Sequence, residues 1–142
     1  MMPPDRPPTA DELLANPMVQ QALAEAWRDS DVNDPLRRHE EGGWMYIDLA
    51  MGRFTVLRAP AGLMDAIDLR FPPEVRGSVV VTKFHTHPNP TSDGWYGGPS
   101  VADQEVDTEH GVPDLIRADD GSYVSGPASR RGGLAGNPRF PD

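Results

Sequence analysis

Leu13, Leu14, Met18, Leu23, Ala24 and Trp27 recur at roughly helical spacing through TADELLANPMVQQALAEAW, with polar residues between them. The pattern predicts a helix with one apolar side, opened by Thr9 and Glu12 at capping-box spacing. Pro17 divides it into a short first piece and a main helix over residues 17 to 29, because proline is tolerated in a first helical turn and not deeper. Beyond DSDVNDP and LRRHEE the period changes. GGWMYIDLAMGRFTVLRAP reads as two strands, WMYIDL and RFTVLRA, turning at Ala50-Met51-Gly52. AGLMDAIDL fits a short helix or a strand. PEVRGSVVVTKFHTHP holds the clearest strand signal, with Val79, Val80, Val81 and Phe84 in a run expected to be buried on both faces.

NPTSDGWYGGP is loop by composition. Pro99-Ser100 then opens a short helix, VADQEVDTEH, closed by Gly111 and Pro113. DLIRADDGSYVSGP predicts a hairpin with Asp120-Gly121 as its turn. Residues 1–8 are Pro-rich and residues 128–142 Gly-rich without period, a disordered start and a flexible tail around one domain at 9–127. The order of elements predicts an α/β domain built around one sheet.

Composition narrows the function classes. At 142 residues the chain supports a single core. It has no cysteine, which excludes disulfides, thiolate metal sites and cysteine nucleophiles and fits a reducing cytoplasm. A net charge of −9 argues against a nucleic-acid partner, whose backbone is held by clustered Lys and Arg. No apolar run reaches membrane-spanning length, and the N-terminus lacks the features of a signal peptide. The expectation is a soluble cytoplasmic protein; oligomeric state is not written in the sequence.

The chemistry gathers in HTHPNPTSDGWYGGPSVAD. Side chains two apart on a strand share a face, so His85 and His87 project together from the strand end, and Pro88 stops the strand there. Asp103 falls in the first turn of the next helix, three residues after Ser100. If the loop folds back, two imidazoles and one carboxylate make a three-ligand zinc set with a free fourth position, the arrangement of catalytic zinc. Each half has an ordinary explanation: His-x-His alone is a weak signal, and Ser-x-x-Asp is a good capping box. Their order and proximity are far more specific.

The order Glu…His-x-His-Pro…Ser-x-x-Asp resembles the JAMM motif of the MPN/JAB1 zinc metalloproteases. The resemblance extends over about residues 18 to 127, through the first helix, Glu40-Glu41-Gly42-Gly43 opening an apolar strand, VVVTKFHTHP, and the Pro-Ser-x-x-Asp helix followed by a hairpin. It implies a mixed central sheet flanked by helices, an α+β arrangement of cytidine deaminase-like architecture. It implies zinc held by His85, His87 and Asp103, Glu40 as general base for a zinc-activated water, and Ser100 stabilising the oxyanion. It implies a peptidase or isopeptidase acting on a protein or peptide, often at the Gly-Gly end of a ubiquitin-like or sulfur-carrier protein. Glu40 fits the family's Glu-x-x-Gly spacing, whereas adjacent Glu41 points the other way in extended chain.

Two features depart from the family. Twelve residues separate His87 from Ser100 where about seven are usual, an excess that chain-closure entropy makes worth only about 0.5 kcal/mol. Trp95 and Tyr96 in that loop are candidates for a lid or substrate wall. The family's closing helix is absent or degenerate in the Gly-rich tail, in which Arg131-Gly132-Gly133 resembles a ubiquitin-like end. His39 reads as a surface residue and His110 as helix-end packing. A bacterial effector or toxin protease, and a catalytically silent metal-binding module, are the competing readings. Zinc deaminases need cysteines, and His-x-His amidohydrolase barrels need about 250 residues.

Overall fold

Asn16 separates two helices by serving both. It ends α1, Ala10–Ala15, and its side chain caps α2, Pro17–Asp29, accepting from the Met18 N–H at 2.8 Å. The computed structural model describes residues 8–100, 103, 111–126 and 138–140. The capping box at α1 forms in full: the Glu12 N–H donates to Thr9 Oγ1 at 3.1 Å and the Thr9 N–H to Glu12 Oε1 at 2.9 Å. The buried side of α2 is only partly the expected one. Leu23 is buried as expected, but Met18 is 47% exposed and Ala24 is exposed, and Val19, Ala22 and Ala26 face the sheet with Leu23. Their spacing of three and four residues is equally helical, and the small alanines let the helix lie close.

The strands are β1 Gly42–Asp48, β2 Phe54–Arg58, β3 Ser78–Thr86, β4 Asp114–Ala118, β5 Gly121–Ser125 and β6 Pro138–Phe140. They form one mixed sheet in the order β2-β1-β3-β4-β5-β6, parallel only between β3 and β4. A parallel pair needs a long crossover, and here residues 87 to 113 supply it. The α+β character expected from the sequence is present, with α1 and α2 packed on one face. Leu13, Leu14, Val19 and Leu23 meet Met45, Ile47, Phe84, Leu115 and Val124 there. A smaller apolar cluster, Trp44, Tyr46, Ala59 and Leu69, occupies the other face.

Several boundaries differ from expectation. β1 begins two residues early, at Gly42 and Gly43, because both press against neighbouring backbone: a Cβ would strike Phe84 O at Gly42 and Leu57 O at Gly43. β3 is buried on both faces only from Val81 onward; Val79 is 43% exposed. The last hairpin turns at Asp119-Asp120, and Gly121 already pairs with Ala118 at a φ of 135°. AGLMDAIDL is neither helix nor strand; it is an irregular loop that closes on itself through the Leu63 N–H to Ala66 O at 2.7 Å. Of the segment expected to be a flexible tail, Pro138–Phe140 pairs with β5, and the other residues lie outside the described ones. Among the described residues no helix is long and apolar enough to cross a membrane.

A bulge sets the phase of β3. Met45 pairs with Thr82 and Tyr46 with Val80, so Val81 is an extra residue with no partner on β1. Val80 packs with the Trp44–Tyr46 cluster and Val81 with the helices. One inserted residue inverts the alternation beyond it. Lys83 and His85 thereby pair with Trp44 and Gly42 on the face away from the helices.

Candidate metal centre

Three elements deliver the site. His85 is the penultimate residue of β3 and His87 follows the strand. Pairing with β1 brings Gly42 opposite His85, which places Glu40 just beyond it. Asp103 sits in helical backbone after the loop, with Ser100 before it. The capping box is real: the Asp103 N–H donates to Ser100 Oγ at 3.0 Å, and the Ser100 N–H to Asp103 Oδ2 at 2.9 Å. That cap and the metal-ligand assignment are not rivals, because the same box aims Asp103 Oδ2 at the imidazoles.

His85 Nε2 and His87 Nε2 are 3.1 Å apart, and Asp103 Oδ2 lies 3.3 Å from the first and 3.2 Å from the second. Ligand atoms on a tetrahedral zinc, with bonds of about 2.0–2.1 Å, stand about 3.3 Å from one another. The proton positions agree. His87 Nδ1 faces the Gly97 carbonyl at 3.1 Å, which can only accept, so Nδ1 carries the hydrogen and a neutral ring turns the Nε2 lone pair inward. His85 Nδ1 donates to the buried Asp114 Oδ1 at 3.1 Å, with the same consequence. An imidazole steadied by a carboxylate or a carbonyl on its far nitrogen is the usual support of a metal ligand.

Three inward electron pairs at such distances need a cation between them. In the metal-free chain a proton takes that part. Burial opposes a charge on His85, but Asp114 and Asp103 outweigh it and raise its pKa well above 6.5. Burial would also raise Asp103, yet the imidazoles of His85 and His87 hold it far below the usual carboxylate range.

Glu40 Oε2 approaches His87 Nε2 at 3.9 Å, outside the tight triangle. Glu40, His85 and His87 each offer a ligand atom, all within 4.8 Å of one another, and this buried group could hold a metal ion. Burial pushes the Glu40 carboxyl up to about 7, against the pull of the two imidazoles. Its backbone is held by the irregular loop: the Glu40 N–H donates to Leu63 O and the Gly62 N–H to Glu40 O, both at 2.8 Å. Glu41 points the other way, to Arg58 and to His39 Nε2, the latter at 2.6 Å. His39 is therefore a half-buried partner of Glu41. His110 lies outside the described residues.

The centre stands where two clefts meet. One of about 490 Å³ runs along Ala61–Arg70 past Lys83, His85 and Asp114; the other, about 200 Å³, lies between Glu40, His87, Trp95 and Tyr96. Asp65 and Ser100 line both. Trp95 and Tyr96 are 42% and 58% exposed and form a wall there, with Tyr96 edge-on to Tyr123 at 6.1 Å.

Sequence reasoning did not find Asp114, the Gly97 carbonyl or the Gly62–Leu63 clamp. Asp114 comes to His85 only through the parallel β3–β4 pairing, and no local pattern announces that. Comparison of the chain with protein-family models, with curated proteins and with solved structures returned no match.

Proposed function

We propose that the chain is a zinc-dependent hydrolase of amide bonds of the JAMM type, acting as a peptidase or isopeptidase on an extended protein tail such as a Gly-Gly end. The observation that carries this reading is the triangle of His85 Nε2, His87 Nε2 and Asp103 Oδ2, with sides of 3.1–3.3 Å, beside a carboxylate at 3.9 Å. Two imidazoles and a carboxylate suit zinc. When bound, zinc supplies Lewis-acid polarisation of a carbonyl and lowers the pKa of water towards about 7.

The chain's own residues do the rest. Glu40, buried with a carboxyl pushed up to about 7, is matched to taking a proton from the attacking water and returning it to the leaving amine near neutral pH. Ser100 Oγ accepts from the Asp103 N–H, which leaves its own O–H to donate to the carbonyl oxygen as negative charge grows there. One such donor is worth about 2.7–4 kcal/mol. Clefts on both sides of the centre give room for chain before and after the bond, and Gly-Gly passes a narrow waist because it carries no side chains.

A second reading has its own observation. Glu40, His85 and His87 also lie within ligand reach of one another. If they are the ligands, Glu40 is consumed as a donor and the domain is a metal-binding module without a base. Metal content and hydrolysis of a Gly-Gly-linked amide, measured on paired variants, separate the two. The hydrolase reading expects about one zinc per chain, lost in His87→Ala. It expects Glu40→Gln to keep zinc while activity falls by about 10²–10⁴-fold, and Glu41→Gln to retain both. Loss of zinc from Glu40→Gln establishes the binding module instead, and iron in place of zinc overturns the metal, since two histidines and a carboxylate also suit Fe(II).

A further inference from the structure

Thr86, the residue between the two histidines, faces away from the metal centre and is fully buried beneath α2. Its hydroxyl stands in a chain whose proton direction is determined. Ser30 Oγ donates its single proton to Ala26 O at 2.8 Å. In the 2.7 Å contact between the two hydroxyls Thr86 is therefore the donor. Thr86 Oγ1 then accepts from the Glu41 N–H at 3.0 Å, and the Thr86 N–H donates to Glu41 O at 2.9 Å. The strap entering β1 is also tied to Ser30, whose carbonyl accepts from the His39 N–H at 3.0 Å.

We infer that Thr86 is a positioning residue for Glu40: its hydroxyl, braced on Ser30 at the end of α2, grips residue 41 and so holds the carboxylate of residue 40 in register with the imidazoles on either side of Thr86. The inference rests on the proposed role of Glu40 as base. One tripeptide, His85-Thr86-His87, then aims ligands from one face of the strand and registers the base from the other. The Gly62–Leu63 clamp holds Glu40 from the loop side, so Thr86 supplies the restraint from the sheet.

The test compares Thr86→Val, which keeps the shape and removes the hydroxyl, with Thr86→Ser, which keeps the hydroxyl. Zinc affinity is read by chelator competition, kcat and KM on a Gly-Gly-linked amide, and the pH at which the visible bands of the cobalt-substituted protein change. In Thr86→Val, zinc affinity is expected to stay within about threefold, because no ligand's supporting contact is removed. Its kcat should fall about 100-fold with KM unchanged, the scale of a displaced catalytic group. Its cobalt bands should shift in the direction seen for Glu40→Gln, and Thr86→Ser should restore kcat and bands together. Ser30→Ala, which removes the brace together with its bond to Ala26 O, is expected to lower kcat about tenfold and move the bands the same way; it carries the test if Thr86→Val does not fold.

Wild-type kcat and bands in the folded variants overturn the inference, and so does loss of zinc in step with kcat, which marks a purely structural role. If the wild-type protein hydrolyses no amide, the hydrolase reading falls, and the cobalt titration still decides whether Thr86 registers Glu40.

Discussion

β1 and β3 are covered on both sides, but by different physics. Towards the helices, Met45, Ile47, Val81, Phe84, Leu115 and Val124 pack with α1 and α2, and the hydroxyls on that side, Thr82 and Thr86, are hydrogen-bonded. On the other side the sheet begins apolar, at Trp44 and Tyr46, and ends in ionisable groups that are almost fully buried: Glu40, Lys83, His85 and Asp114. Apolar burial is non-directional and tolerates repacking, whereas buried charge persists only where each group has a partner in the right place. The first face should therefore answer for stability, the second for chemistry and pH dependence.

Phe84→Ala is the largest blow to the helix-covered face. The ring is fully buried in the main core cluster, and truncation of such a residue costs about 3–5 kcal/mol through lost transfer energy and the cavity left behind. Urea unfolding should show that loss while the folded fraction still binds zinc at about one per chain. Should the folded variant shed zinc, the two faces are not separable and the comparison fails.

The opposite face should govern pH. The folded chain raises Glu40 from 4.5 to about 7 through burial, so it binds more protons than the unfolded chain across that interval. Stability that is full below pH 4.5 is then lost as pH climbs through about 7. The raised His85 acts with the same sign, and the depressed Asp103 matters only where pH falls below 3.8. For Glu40 alone this amounts to about 3 kcal/mol between pH 4.5 and 8 in the metal-free protein. Urea midpoints after chelation, taken at both ends of that range, should differ accordingly, and Glu40→Gln should shrink the difference, leaving the part that His85 contributes. An unchanged slope in Glu40→Gln would place the titrating group elsewhere.

Much of this division was legible in the sequence where a local pattern encodes it. The capping boxes at Thr9 and Ser100, the proline opening α2, the β1–β2 hairpin and the His-x-His pair each depend on residues within a few positions of one another. The match failed where a distant contact decides. Met18 and Val19 are both plausible stripe residues, and only the sheet selects Val19. The bulge at Val81, which turns His85 away from the helices, arises from pairing with Met45 and Tyr46, and a run of three valines conceals it. AGLMDAIDL has no period to read because its backbone is tied to Glu40 rather than to a helix or sheet neighbour. Glu40 and Glu41 were distinguishable by strand alternation, and the opposed directions of their side chains follow that rule.

The smallest effect tests the contact that no local pattern could reveal. Asp114 is fully buried, and its Oδ1 accepts from His85 Nδ1 at 3.1 Å. Asp114→Asn preserves an acceptor oxygen and nearly the same volume, so the ring keeps its orientation while the charge behind it disappears. A carboxylate in that place makes the imidazole a stronger donor to a cation, and its loss typically weakens metal binding by about 10–100-fold, or about 1.4–2.7 kcal/mol. Chelator competition should register that drop. Phe84→Ala, on the opposite face of the sheet, should lower the urea midpoint without weakening zinc affinity. Equal zinc affinity in Asp114→Asn and wild type would reduce Asp114 to a packing partner and leave the chemical face of the sheet one group smaller than its geometry suggests.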